Sequence, residues 1–272
     1  MDSVEPKKVG DLLREWRERR RLSQLDLALD TDVSQRHLSF IEIGRSKPSR
    51  EMILRLCERL DIPLRERNVL LTAGGYSQIF PETPLDDAAL VAARRAVDLM
   101  LTGLEPHPAF VVDRHWNLID ANKAAKFLLM AVDSSLLELS PVNMLHLCLH
   151  PKALAARTIN YAEWRKYILD YLSRQIEITA DAFLIELLEE LKNYPKPKPS
   201  KEKLSDKEKD YSRVAVPLRL ETEEGEMSFL VTTTIFGTPI DITLSEIAVE
   251  VFFPANAQTT EIINRVFRTD QH

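Results

Sequence analysis

Three serines set the architecture of the first quarter of the chain. Ser23, Ser34 and Ser49 each stand just ahead of a short apolar-periodic segment. A hydroxyl in that place accepts a hydrogen bond from a free backbone N–H and so favours a helix start. Ser23 has Asp26 three residues on, the spacing of a capping box. With segment 9–20 ahead of them and a further segment near 64–72, the signals predict five short helices ending at Gly74-Gly75. Val9, Leu12, Leu13 and Trp16 share one helical face, as do Met52, Ile53, Leu56, Cys57 and Leu60. Leu25, Ala28, Val33, Leu38 and Ile41 are expected to form a small core between the second and third helices. The result is a compact all-helical unit of about 65 residues.

A different texture begins at 106. Segment 76–88, with two prolines and no period, reads as a linker that docks on a neighbouring unit, and 88–104 as helix. In "HPAFVVDRHWNLIDAN" two extended runs, 109–113 and 116–120, flank Arg114-His115 in a hairpin pattern. Helical segments are expected at 122–132, 134–140, 151–156, near 161–175 and at 180–193. Segment 196–210 is a charged, proline-bearing loop. Three strand-like runs come next, at 214–221, 226–235 and 245–254, and then a short helix near 259–267. Two strands, a helical excursion and three more strands predict a five-stranded antiparallel sheet with helices on one side.

Composition excludes several classes. No apolar run approaches the roughly 20 residues that span a bilayer. "MDSVEPKK" has no apolar core behind its charges, so no signal segment is expected and the expected place is the cytoplasm. Cys57 and Cys148 lie far apart in apolar helical patterns and are expected to be buried reduced thiols. The chain lacks G-x-S-x-G, H-E-x-x-H and CxxC signatures, and seven glycines give little for a phosphate cradle. His146 and His150, four apart, have the spacing of a helical ligand pair but no third ligand. Neither catalytic residues, a metal nor a cofactor is expected. Net charge is -6, yet residues 1–75 hold 15 Lys+Arg against 13 Asp+Glu, and the remainder 21 against 29. A locally basic head can still meet nucleic acid.

The stretch "VSQRHLSFIEIGRSKPS" carries polar residues with no partner in their own segment. Packing by Leu38 and Ile41 would turn Gln35, Arg36, His37, Ser39 and Phe40 outward, where side chains near a helix N-terminus reach base edges. Gln24 is placed to meet a phosphate, and Arg45, Ser46 and Lys47 to touch the backbone further on. The rival for Gln35, Arg36 and His37 is a merely solvated helix face. For Phe40 it is a place in the core.

"LSQLDLALDTDVSQRHLSFIEIGRSKPSREMILRLCERLDI" resembles a helix-turn-helix of the Xre/lambda-repressor-like family, over about residues 9–73. The resemblance implies that Gln24 binds phosphate, that Gln35, Arg36 and Phe40 read bases beside the cap Ser34, and that Glu42 is structural. It continues through "TPLDD", "FVVDRHWNLIDAN", "VNMLHLCLHP" and "INYAEWRKYIL", which together are similar to the MmyB-like transcription regulators. That likeness implies a multi-domain chain. An all-α lambda-repressor-like head (1–75) and a connecting segment (76–105) precede an α+β PAS-like ligand-binding and dimerisation domain (106–272). It also implies a small hydrophobic ligand, with fatty acids or related acyl molecules leading, and no membrane.

For the lining, Phe110, Val112, Leu118 and Ile119 alternate on the first hairpin. Phe229, Val231, Thr233 and Ile235, or their partners of opposite parity, lie on the central strand, and Val249, Val251 and Phe253 on the last. A carboxylate head needs a cation or donors; the candidates are His146, His150, Arg157, Asn160 and Trp164. Asn122 is expected to cap a helix and Trp116 to pack at the hairpin. The resulting expectation is a dimeric, ligand-responsive regulator on palindromic double-stranded DNA. Its rivals are a constitutive dimeric DNA-binding protein with a scaffold domain, and a small-molecule enzyme with a DNA-binding head.

Overall fold

A computed structural model describes residues 7–85, 87–129, 132–195, 197, 215–236 and 241–268. The expected charged loop at 196–210 lies, Pro197 apart, outside them, as do the ends of the expected helix at 122–132 and strand at 214–221. Contacts divide the chain into two units, the first holding everything up to Thr83 and the second most of the remainder.

Within the first unit, the described residues up to Thr83 form five helices: α1 (Val9–Arg19), α2 (Gln24–Asp30), α3 (Gln35–Glu42), α4 (Arg50–Arg59) and α5 (Leu64–Ala73). The three serines act as expected. Ser23, Ser34 and Ser49 accept from the backbone N–H of Asp26, His37 and Met52, and Asp26 closes the capping box on Ser23. Leu13, Trp16, Leu27, Ala28, Leu38, Ile41, Ile53, Leu56 and Leu60 fill one core. Gly10 lies where α1 crosses the end of α3: a Cβ there would sit 2.2 Å from the Ile41 carbonyl oxygen, so only glycine permits this approach.

Leu25 is a correction. It is 49% exposed, and Leu27, 1% exposed, takes the core place assigned to it. "QLDLALD" has leucines at 25, 27 and 29, which fit no single helical stripe. Burial of Leu27 and Ala28 fixes the register, leaving Leu25 and Leu29 outside. Val33 is only half-buried. Segment 76–83 does dock, through the buried Asn68: its amide donates to the Phe80 carbonyl at 2.7 Å and its oxygen accepts from the Ile79 and Phe80 N–H.

The second unit begins with a 3-10 turn (Ala88–Leu90) and α6 (Val91–Gly103). Strands β1 (Ala109–Val112) and β2 (Leu118–Ala121) form the expected hairpin. Then come α7 (Lys123–Leu129), α8 (Ser134–Leu137), α9 (Met144–Leu149), a 3-10 turn (Leu154–Arg157), α10 (Tyr161–Thr179) and α11 (Ala182–Lys192). Along the chain, strands β3 (Leu218–Thr222) and β4 (Gly225–Ile235) precede α12 (Ile242–Ser245), which groups with the first unit, and then β5 (Ala248–Pro254) and α13 (Ala257–Arg268). The helical turn α12 occupies the start of the strand expected from 245. Asn122 caps α7 as expected, its oxygen accepting from Ala125 N at 2.9 Å.

The five strands form one antiparallel sheet in the order β2-β1-β5-β4-β3. The fold class is therefore the expected one: a helical head and an α+β domain with a five-stranded antiparallel sheet. Strand β1 and residues 249–252 of β5 are buried on both faces rather than one, because both faces are covered.

Candidate functional site

The first candidate surface is the exposed edge of α3. Helix α3 is held from behind by a buried charge cluster. Arg17 donates to both Glu42 carboxylate oxygens, at 2.6 and 2.9 Å, and to the Leu22 carbonyl at 2.8 Å. Gln24 Nε2 donates to Glu42 Oε2 at 2.8 Å. Glu42 thus ties α1, α2 and α3 together, and its four lone-pair sites are largely used. One amide N–H of Gln24 remains for a phosphate.

With its back fixed in this way, α3 leaves Gln35 and Arg36 exposed at its first turn, beside the cap Ser34, while His37, Ser39 and Phe40 are half-buried. Phe40 is neither free nor in the core. The Arg36 guanidinium lies over its ring, 5.4 Å from the centroid. After the helix, Gly44 takes φ +72, and the N–H groups of Arg45 and Ser46 both donate to the Phe40 carbonyl. This turn presents Arg45 and Lys47 to solvent.

The second candidate is a cavity inside the α+β unit. In an antiparallel sheet, directly paired residues share a face. The register pairs Phe110 with Glu250, Thr233 with Glu250, and Val231 with Phe252, so these five residues look the same way. Opposite them, α10 offers Trp164, Tyr167, Ile168 and Tyr171 at the i, i+3, i+4, i+7 spacing of one helical face. Val112, Trp116 and, from α9, Met144, Leu145 and Cys148 complete the lining. The space they enclose is narrow, a cavity of about 50 Å³.

Most of the wall is apolar or aromatic. Trp164 stacks on Tyr167 with ring centroids 5.0 Å apart, and Trp116 meets Tyr171 edge-on at 5.6 Å. Trp116 has φ +68, a left-handed conformation costly for a bulky side chain. Its turn is held by Asp113, whose carboxylate accepts from the N–H groups of His115 and Asn117. Its indole N–H donates to Gln175 at 2.8 Å.

Two polar features interrupt this wall. The Glu250 carboxyl is buried in mid-sheet and accepts from the Thr233 hydroxyl at 2.8 Å. Burial pushes its pKa up to about 7. The indole Nε1 of Trp164, a residue 4% exposed, is buried with no hydrogen-bond partner among the described residues. Burial also raises the Tyr167 and Tyr171 hydroxyls and pushes the Cys148 thiol up to about 12.

Of the residues expected to line such a pocket, Phe110, Val112, Val231, Thr233 and Trp164 do, as does Trp116, expected only to pack. Four of the candidates for the head group do not. Asn160 is a buried clasp: its amide donates to the Pro217 carbonyl at 2.8 Å and its oxygen accepts from Arg219 N at 3.1 Å. Arg157 lines a separate cleft with Leu128, Leu154 and Leu220. His146 sits by Glu190, its Nε2 3.3 Å from the carboxylate, and by the Tyr194 ring. His150 lies just past the end of α9 in extended backbone, so the four-residue histidine spacing does not put both on one helical face. Its Nδ1 accepts from Lys152 N. On β5 the parity is reversed: Glu250 and Phe252 face the cavity, while Val249 and Val251 pack on the other side. Tyr167, Tyr171 and Glu250 went unpredicted. A signal existed for one of them, since Glu250 is the only charge in the run "IAVEVFFP".

Comparison with known proteins gives independent findings. Residues 13–67 match a helix-turn-helix family model. Residues 93–265 match the model of the MmyB-like transcription regulator ligand binding domain. No curated protein matches the chain. Among solved structures, the crystal structure of the clp gene regulator ClgR from Corynebacterium glutamicum is 28% identical. It covers 36% of this chain and 90% of its own, with a TM-score of 0.22. No helix of the described residues is long and apolar enough to cross a membrane. The ligand-binding-domain model spans well over half of the sequence, behind a helix-turn-helix: the chain belongs to the MmyB-like transcription regulators and is a DNA-binding transcription regulator.

Proposed function

We infer that this regulator reads DNA with α3 and answers to a small apolar molecule held in the sheet–α10 cavity. In this reading residues 1–75 bind DNA, 76–105 connect, and 106–272 form a PAS-like ligand-binding and dimerisation domain. The strand order β2-β1-β5-β4-β3 supports the PAS-like assignment. Gln35, Arg36 and Phe40 meet base edges, while Gln24, Ser34, His37, Ser39, Arg45 and Lys47 meet the backbone or steady the helix. Exposure of Gln35 and Arg36 over a rigidly held helix supports this.

The observation that carries the ligand reading is the cavity itself. A family known for ligand binding here keeps an unfilled, mostly apolar space in a well-packed unit, beside a buried indole N–H without an acceptor. Well-packed interiors contain few such voids. Its narrow apolar bore suits an acyl chain of the fatty-acid kind. The cations expected to hold a carboxylate head, among them Arg157, lie elsewhere.

The chain acts as a homodimer in the cytoplasm. One head offers few base contacts, and two related by a twofold axis read a palindrome with half-sites about one helical turn apart. The ligand shifts the heads only by binding one arrangement more tightly than the other. Native mass spectrometry of the purified protein tests both parts. A dimer mass carrying an apolar small-molecule adduct is expected. A bare dimer that gains no mass from added apolar compounds would leave the second domain a scaffold.

A further inference from the structure

The head group that the cavity receives can be read from its one charged residue. Glu250 stands on the inner face of a central strand, flanked on that face by Phe110 of β1 and Thr233 of β4. It lies across the cavity from the Trp164, Tyr167 and Tyr171 face of α10. No cationic side chain is among the residues that line the space. Besides Glu250 itself, the charge that acts on the two tyrosines is the cation Arg174, which is exposed, with its guanidinium over the Tyr171 ring at 5.8 Å. We propose that the ligand's polar group donates a hydrogen bond to Glu250, as an alkyl ammonium or an alcohol does, and that an alkyl carboxylate is disfavoured. The proposal rests on the cavity being the ligand site.

Three arguments converge. A carboxylate head beside Glu250 would bring two acceptors, and two like charges in a desolvated space, together with no cation between them. Turned round, with its head at Arg174, the same molecule would press a hydrocarbon end on a buried carboxyl. An ammonium satisfies both parts of the wall at once: the carboxylate offsets its charge, and the faces of Trp164, Tyr167 and Tyr171 attract cations. A hydroxyl also donates to Glu250. Burial raises the Glu250 carboxyl to about 7, so near neutrality it is only part-ionised, and a bound ammonium would drive it to ionise fully and release a proton.

The test is calorimetric titration of the full-length protein at about pH 8 with octylamine, octanol and octanoate, which share one chain length. Octylamine is expected to bind at least about tenfold more tightly than octanoate, with octanol also ahead of octanoate. Glu250→Gln should cost octylamine at least about tenfold, leave octanol within about threefold because the amide oxygen still accepts, and improve octanoate. Arg174→Ala should leave octylamine unweakened. Retained octanol binding shows that each variant is folded. Octanoate binding as tightly as octylamine, or an octylamine affinity indifferent to Glu250→Gln, overturns the proposal alone. If none of the three binds, the cavity is no ligand site and the reading beneath it falls as well.

Discussion

The two units treat their buried polar groups in opposite ways. In the helical head, Glu42 is buried but paired: Arg17 grips it with two hydrogen bonds, and Gln24 adds a third. In the α+β unit, Glu250 is almost as buried and has Thr233 as its partner, with no cation lining the space around it. A nearby indole N–H, that of Trp164, has no acceptor among the described residues. The head is complete as it stands and offers its chemistry on the outside. The second unit keeps its chemistry on the inside, around Glu250. A DNA-reading surface must be rigid before it meets its target, and a sensor cavity must be better satisfied with its ligand than without it.

Four substitutions would break or sharpen that contrast. The largest effect is expected in the head. Glu42→Ala strands the buried Arg17 charge and should cost about 3–5 kcal/mol, read by urea unfolding monitored through the head. A loss under about 1 kcal/mol would show that the cluster does not hold α3.

Next come the two leucines of α2. Leu27→Ala should cost about 2–5 kcal/mol, whereas Leu25→Ala should stay within about 0.5 kcal/mol. Equal costs in thermal unfolding would contradict the register described for α2.

The third effect depends on pH. Because burial raises Glu250 from the ordinary carboxylate range to about 7, the folded state holds its proton more firmly than the unfolded chain. Stability from this group is fully present below the unfolded value near 4.5 and is lost as pH climbs to about 7. Glu250→Gln removes that loss. The variant should exceed the parent by up to about 3 kcal/mol at pH 8, and the gain should vanish near pH 4. Melting curves across that range would decide it, and a gap that widened toward acid would reverse the sign claimed here.

Much of the head was legible in the sequence because its signals are local. A serine hydroxyl caps the helix it precedes, and Ser23, Ser34 and Ser49 did so where expected. The register of α2 was not legible, since three alternating leucines leave the choice to tertiary packing, which buries Leu27 beside Ala28. In the second unit the strands were readable, but the parity of β5 was not. Which of Val249 and Glu250 faces the cavity depends on pairing with β1 and β4, far away in sequence. The misplaced ligand residues share one cause. Asn160, His146, His150 and Arg157 were chosen for the head group an acyl acid would need, and Asn160 and His150 are engaged by backbone groups instead. The residue that carries the cavity's polarity, Glu250, lay inside an apolar strand where alternation predicts nothing but packing.

The central claim is that α3 reads DNA through its exposed first turn. Equilibrium binding of the full-length protein to a duplex selected from random sequence, against unselected DNA, tests it most directly. Gln35→Ala and Arg36→Ala should each weaken the selected site by about 1–3 kcal/mol and leave unselected DNA far less affected. Gln24→Ala should weaken both alike. If both the Gln35 and the Arg36 variants hold the selected site as tightly as the parent does, α3 is not the reading helix.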